Sequence, residues 1–250
     1  MKNLQILHIS DPHIRSDEKK NQAVAESLTF IQDTYPDHKV IVTGDIVDSG
    51  SEEQYRRAHQ LLFPLWDRLF LVPGNHDKGP KGNLYNKDSD WMFDKFLAAA
   101  LDQGPFCGNN SISVKQVEDV MFVGVDSNID TNIPWRFASG EINRRQLRDL
   151  ERLFDDYPDQ MKILYFHHHP FIHSDPFMYL KNAEVLAQVI YGRVAVVCFG
   201  HKHVPGRWKD RWNIPRMLAA DSLYDSDTAA EITINGEQIT VQSVPIRGVT

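Results

Sequence analysis

Leu4-Gln5-Ile6-Leu7-His8-Ile9-Ser10-Asp11-Pro12-His13 runs a short apolar segment directly into a carboxylate, a proline and an imidazole. Six residues is the length of a buried strand, and Pro12 cannot donate to a strand ladder, so the stretch predicts a strand over 4–9 that ends in a polar loop. The unit recurs. Strands are predicted at 39–43 and 68–72, each followed by polar residues, and helical spacing is present at 21–34 and 52–63, where Val24, Leu28 and Ile31 fall three and four apart. The first half therefore reads βαβαβ, the order of a layered α/β fold with a buried sheet.

Farther along, Asp88 to Gln103 has helical spacing, and Ser111 to Gln116 with Val120 to Val125 predicts a hairpin turning at Glu118-Asp119. Ser139 precedes a helical run from Glu141 to Tyr157, which Pro158 stops. Strands are predicted at 161–166 and 194–199, separated by a helix over 182–191 that Gly192 ends. Beyond Gly200 the character is β only, with Asn235-Gly236 marking a hairpin turn within 232–241. There is no repeat, linker or low-complexity tract, so the expectation is one domain over residues 1–250. Two mixed sheets with helices outside accommodate these elements better than one doubly wound sheet.

The 250 residues are 42% hydrophobic and 24% charged, which excludes disorder and small disulfide scaffolds. A net charge of -7 disfavours an extended grip on nucleic acid. The start of the chain offers Lys2 and an apolar run broken by His8, so neither a signal peptide nor a membrane span is expected. Cys107 and Cys198 have no companion in a metal or disulfide spacing, and a reducing cytoplasm is the expected compartment.

Five polar clusters follow five predicted strands. In Asp11-Pro12-His13 a carboxylate and an imidazole two residues apart project to one side of an extended segment, although a turn opener would explain the pair if it stood alone. In Gly44-Asp45-Ile46-Val47-Asp48, a cap on the next helix accounts for Ser51 but not for Asp45. Gly74-Asn75-His76-Asp77 packs an amide, an imidazole and a carboxylate into consecutive positions, more than a turn requires. His167-His168-His169-Pro170 and Gly200-His201-Lys202-His203 complete the set. One such cluster is ordinary. Five at strand ends have no packing explanation, and hard oxygen and nitrogen donors in that arrangement point to metal binding.

The ordered blocks D-x-H, G-D-x-x-D, G-N-H-D, H-x-P and G-H-x-H, from Asp11 to His203, resemble the calcineurin-like metallophosphoesterase family. The opening Ile-Leu-His-Ile-Ser-Asp-Pro-His and the stretch Leu180-Lys-Asn-Ala are most similar to its class III cyclic-nucleotide phosphodiesterase group. The resemblance implies a four-layer αββα sandwich and two metal ions. One would be held by Asp11, His13, Asp45 and His203, the other by Asp45, Asn75, His168 and His201, with Asp45 as the bridge. In the triple histidine, His168 is taken because the family ligand stands two residues before the proline, so that His167 and His169 would point elsewhere. The donor set suits Mn, Fe or Zn.

Such an ion pair activates a water to hydroxide and clamps phosphate oxygens during in-line displacement. The resemblance then gives His76 the task of protonating or hydrogen-bonding a phosphate oxygen, with Asp48 at the family position that holds the imidazole, while Asp77 stabilises the loop. The expected activity is hydrolysis of a small phosphodiester such as a cyclic nucleotide; the alternatives are a phosphomonoesterase or nuclease on the same metals, or an interaction module without chemistry. Substrate choice is left to loops around 78–90, 130–140 and 170–181. These contain a polar stretch from Lys81 to Asp90, Trp135-Arg136-Phe137, and His173 and Asp175. Residues 202–216 interleave basic side chains with Trp208 and Trp212, and the alternation of a half-exposed strand accounts for them without a nucleic-acid partner.

Overall fold

A computed structural model describes residues 3–80, 86–106, 112–131, 133, 138–171 and 178–248. The first sheet is formed by β1 (Leu4–Ile9), β2 (Lys39–Thr43), β3 (Leu69–Val72), β10 (Thr228–Asn235) and β11 (Gln238–Pro245), in the order β11-β10-β1-β2-β3. The second contains β4 (Ile112–Val117), β5 (Val120–Val125), β6 (Met161–Tyr165), β7 (Val196–Phe199), β8 (Gly206–Trp208) and β9 (Arg216–Ala219), in the order β4-β5-β6-β7-β9-β8. Both are mixed, as the element order predicts. β1, β2 and β3 run parallel, as do β5, β6 and β7, while the hairpin strands β4 and β11 each close one edge of a sheet antiparallel.

The sandwich can be read from alternation within β5. Val120 and Phe122 face the first sheet, where the Phe122 ring stacks on Phe70 at 4.2 Å between centroids. Met121, Val123 and Val125 face the other way, into the cluster formed with Leu147, Leu150 and Phe154 of α4 (Arg144–Asp156) and Leu186 and Ile190 of α5 (Ala183–Ile190). On the opposite flank α1 (Gln22–Thr34) and α2 (Glu52–Leu62) bury Val24, Leu28, Ile31, Tyr55, Ala58 and Leu62 against the first sheet. Period-two strands and period-3.6 helices thus build helix, sheet, sheet, helix.

Several boundaries shift for local reasons. The third strand starts at Leu69 because Phe63–Arg68 forms a 3-10 helix and Arg68 donates to the carbonyls of Tyr35 and His38. The helix predicted over 88–103 is α-helical only in α3 (Lys87–Phe93), then loosens to a π turn over Asp94–Ala98 and a 3-10 turn over Ala99–Leu101. Asp102 ends it in the left-handed region, at φ 52°. Gln103 is thereby released to cover the free edge of β3: its side-chain oxygen accepts from Leu71 N at 3.0 Å and its amide donates to Leu69 O at 2.7 Å. The helix expected from Glu141 begins at Arg144, because Asn143 and Gln146 form a reciprocal capping box. The final hairpin extends to 228–245. No helix among the described residues is long and apolar enough to cross a membrane.

Candidate metal centre

The loops after β1, β2, β3, β6 and β7 meet at one end of the two sheets. Their backbones are held in an uncommon state: Asp11, His13, Asp45, His201 and His203 all have φ between 45° and 77°. Left-handed geometry costs a residue with a side chain about 1–3 kcal/mol, and it persists only where surrounding contacts fix it. Those contacts are present. Asp11 N donates to Gly44 O at 3.1 Å, His13 N to Asp45 O at 3.0 Å, and His201 N to the Asp11 carboxylate at 3.0 Å. Two glycines permit the approach. A Cβ on Gly74 would lie 2.2 Å from Asp45 Oδ1, and one on Gly200 would lie 1.9 Å from Ser10 Oγ and 2.6 Å from Asp11 Oδ2.

The donors fall into two groups. In the first, His203 Nε2 is 3.1 Å from Asp11 Oδ1 and 3.2 Å from His13 Nε2, which in turn stands 3.8 Å from Asp45 Oδ2. In the second, His167 Nε2 lies 3.0 Å from Asn75 Oδ1, 3.0 Å from His201 Nδ1 and 3.4 Å from Asp45 Oδ2. Asp45 is common to both. Apart from half-exposed His203, these side chains are almost wholly removed from solvent. The set fits a pair of divalent cations. It contains imidazole, carboxylate and amide donors, its nitrogens are spaced about as two ligands with bonds of about 2.1 Å would be, and it leaves His13 Nδ1 and His201 Nε2 buried without a hydrogen-bond partner.

The triple histidine differs from the register expected above. His167 does not point elsewhere: its Nδ1 bonds the Thr43 carbonyl at 2.7 Å, which turns Nε2 toward Asp45 and Asn75. His168 stands beside it, with its ring centroid 4.7 Å from that of His201, Nδ1 2.8 Å from Ser127 Oγ and a ring nitrogen within 4.8 Å of His167 and His201. His169 leaves the site to pack edge-on against Phe199 at 4.7 Å and Trp208 at 5.6 Å.

His76 N donates to Asp45 Oδ1 at 2.8 Å, and its Nδ1 meets the main-chain carbonyl of Asp48 at 2.7 Å. A carbonyl only accepts, so Nδ1 carries the proton and Nε2 is left for a ligand. The expected holder of His76 was the Asp48 carboxylate. That carboxylate instead pairs with Arg15 Nε at 3.3 Å and lies 3.9 Å from His13 Nδ1. Asp77 has the loop role expected of it: its carboxylate accepts from the backbone of Ile46, Val47 and Gly74 and staples two of the loops together.

Electrostatics reinforce the donor set. Burial pushes Asp45 up, but His167, His76 and His13 outweigh it and hold the carboxyl well below its ordinary range. Burial would lower His167, and the Asp45 contact lifts it instead to about 9. Burial takes His201 down to about 3 and drives His168 well below its usual value, leaving both rings neutral at pH 7.

Two features escape the sequence reading. Asp126-Ser127-Asn128 follows β5 as the other clusters follow their strands. Ser127 Oγ accepts from the amides of His167 and His168 at 3.3 and 3.2 Å. The signal was a polar triplet after a predicted strand. Lys78, next to the third block, is fully buried between Asp90 and Asp126, where the two carboxylates overcome the burial penalty and raise its pKa. Cys107, Trp135, Arg136, Phe137, His173 and Asp175, with residues 81–85 of the stretch that begins at Lys81, lie outside the described residues.

The sequence pattern described as calcineurin-like phosphoesterase matches residues 4–205. Over 79% of the chain and 71% of the relative, the protein is 25% identical to a probable glycerophosphodiester phosphodiesterase, GpdQ, of Arcobacter nitrofigilis. It is also 25% identical to the 3',5'-cyclic adenosine monophosphate phosphodiesterase CpdA of Haemophilus influenzae, over 86% of the chain and 75% of the relative. Among solved structures, a dimetal phosphatase from Danio rerio superposes with a TM-score of 0.71 at 15% identity, covering 97% of this chain and 96% of the other.

Proposed function

This chain belongs to the calcineurin-like phosphoesterase family and is a hydrolase of phosphoric esters, and on that premise we propose that it cleaves small phosphodiesters at a centre of two metal ions. The observation that carries the reading is Asp45, whose carboxylate stands between the His13 and His167 groups. In this reading Asp11, His13, Asp45 and His203 hold one cation, and Asp45, Asn75, His167 and His201 the other. Two ions in such a site supply a hydrolytic nucleophile from water at neutral pH and neutralise phosphate oxygens. Everything else falls to the chain. Asp45 and His13 keep their orientation through the backbone bonds of their loops, and Asp77 and Ser127 hold those loops in register. His76, whose pKa is raised because Asp45 outweighs burial, keeps Nδ1–H on the Asp48 carbonyl and, when the ring is doubly protonated, gives the Nε2 proton to the departing alcohol oxygen and is left neutral.

Preference for diesters is supported by relatives whose names specify cyclic adenosine monophosphate and glycerophosphodiesters as substrates. Manganese, iron or zinc suits a donor set free of thiolate. We place the activity in a single domain and in a reducing compartment, where the buried thiol of Cys198 stays free. The test is turnover of bis(p-nitrophenyl) phosphate beside p-nitrophenyl phosphate after reconstitution with each metal, followed by cyclic nucleotides, glycerophosphodiesters and single-stranded DNA. Faster diester cleavage that depends on two bound ions per chain is the expected result. Faster monoester cleavage, or a folded protein that takes up no metal, overturns the proposal.

A further inference from the structure

Arg15 stands beside the site but belongs to neither donor group. Its main chain is pinned, since Arg15 N donates to Asn21 Oδ1 at 2.8 Å and Asn21 Nδ2 donates back to Arg15 O at 2.6 Å. The side chain is held at two further points. Nε donates to Asp48 Oδ1 at 3.3 Å, and the guanidinium lies over the Tyr224 ring, 4.9 Å from its centroid. Both supports are part of the site wall. The same Asp48 oxygen is 3.9 Å from His13 Nδ1, and the Asp48 carbonyl orients His76. Tyr224 N donates to Ser222 Oγ at 3.2 Å, and that hydroxyl donates to the Asp11 carbonyl at 2.9 Å.

A guanidinium fixed through Nε and one face has a fixed plane. Its terminal fork is then the only part left to act. Among the described residues neither Nη of Arg15 makes a hydrogen bond, and 32% of the side chain stays open to solvent. An arginine that served only to neutralise Asp48 would set its fork across the carboxylate in the stronger bidentate form. Here the fork is withheld. A planar pair of N–H donors already ordered on its supports matches a carboxylate or a phosphate, and little side-chain entropy remains to be lost on binding.

We propose that Arg15 anchors a second anionic group of the substrate, so that the site prefers phosphodiesters with a carboxylate or phosphate at the far end of one alcohol. The proposal rests on the phosphodiesterase reading, because the scissile phosphate is there assigned to the metal centre and His76.

The test compares diethyl phosphate with bis(2-carboxyethyl) phosphate and bis(2-phosphonoethyl) phosphate on manganese-reconstituted protein, at constant ionic strength, with released alcohol followed by proton NMR. Wild type is expected to favour the charged-end esters in kcat/KM by about tenfold or more, the scale of a charge-assisted bidentate contact. Whichever charged ester gains more identifies the anchored group. That ratio should fall toward one in Arg15→Gln, survive in part in Arg15→Lys, and decline in Tyr224→Leu, with metal content of each variant measured alongside. A wild-type ratio near one, or a ratio that Arg15→Gln leaves intact, overturns the anchor. Calorimetric titration of the same three esters reads the ratio in Kd without turnover. Discrimination in binding without hydrolysis sustains the anchor and overturns the proposed activity, whereas hydrolysis of all three without discrimination does the reverse.

Discussion

The carboxylate of Asp45 contacts His167, with 3.4 Å between Oδ2 and Nε2, while His168 turns a ring nitrogen to Ser127 Oγ at 2.8 Å. In the function proposed above, these adjacent histidines at one strand end have different tasks. His167→Ala is expected to cut bound metal from about two ions per chain to about one, since it removes a donor from the group that also contains Asn75 and His201. His168→Ala should retain both ions. Elemental analysis after gel filtration decides it, and the opposite pattern would return the ligand position to His168.

Protonation of the same histidine gives the metal-free protein a pH dependence whose sign is fixed. His167 is lifted to about 9 in the fold, against about 6.5 in an unfolded chain, and His76 and His203 are raised as well. A raised histidine pKa contributes stability that is fully present below the unfolded value and is lost as pH climbs through the folded one. With metal chelated, the urea midpoint should therefore fall between about pH 6.5 and 9. Metal and proton compete for the ring, so metal affinity should tighten over that window. His167→Ala should flatten the slope, and a midpoint that holds constant across the window would contradict the prediction.

The fold was legible because strand and helix periods differ, and because the donor clusters punctuate the strands. The same rule, a polar cluster after a strand, also marks Asp126-Ser127-Asn128, a triplet that lacks the histidine which distinguishes four of the five other clusters. Which ring of His167-His168-His169 faces Asp45 was not legible. That choice depends on where the Thr43 carbonyl stands, 2.7 Å from His167 Nδ1, a contact between residues 124 positions apart. The Asp48 result has a similar origin. A carboxylate in the right block suggests a side-chain contact with His76, but the left-handed loop delivers the carbonyl instead. Long-range placement decides such details, and spacing along the chain carries no record of it.

Lys78 offers a stability test away from the metal groups. It is fully buried, with Nζ against Asp90 and 2.7 Å from Asp126 Oδ2, and it ties the loop of Asn75 and His76 to α3 and to the segment bearing Ser127. Lys78→Met keeps the length of the side chain but leaves two buried carboxylates without a cation, a change that costs about 3–5 kcal/mol. Urea denaturation reads this directly. Lys78→Met combined with Asp90→Asn and Asp126→Asn should recover much of the loss, because the penalty lies in unpaired charge rather than in missing volume. Failure of the triple variant to recover would place the cost in packing.

His76 and Asp48 separate a proton carrier from its holder. His76 keeps Nδ1 on the Asp48 carbonyl, and its side chain supplies no atom to the two donor groups. His76→Ala should therefore leave metal content near two ions per chain while lowering kcat by about 10²–10⁴, the range for loss of a positioned general acid. Asp48→Asn preserves the carbonyl that orients His76. Its effect on kcat should be far smaller, and it should appear mainly through the contacts that the carboxylate makes with Arg15 and His13. If His76 acts as a proton donor, esters with an activated leaving group such as p-nitrophenolate will lose much less rate in His76→Ala than esters of simple alcohols. Equal losses on both would instead mean that His76 acts on a phosphate oxygen common to every substrate.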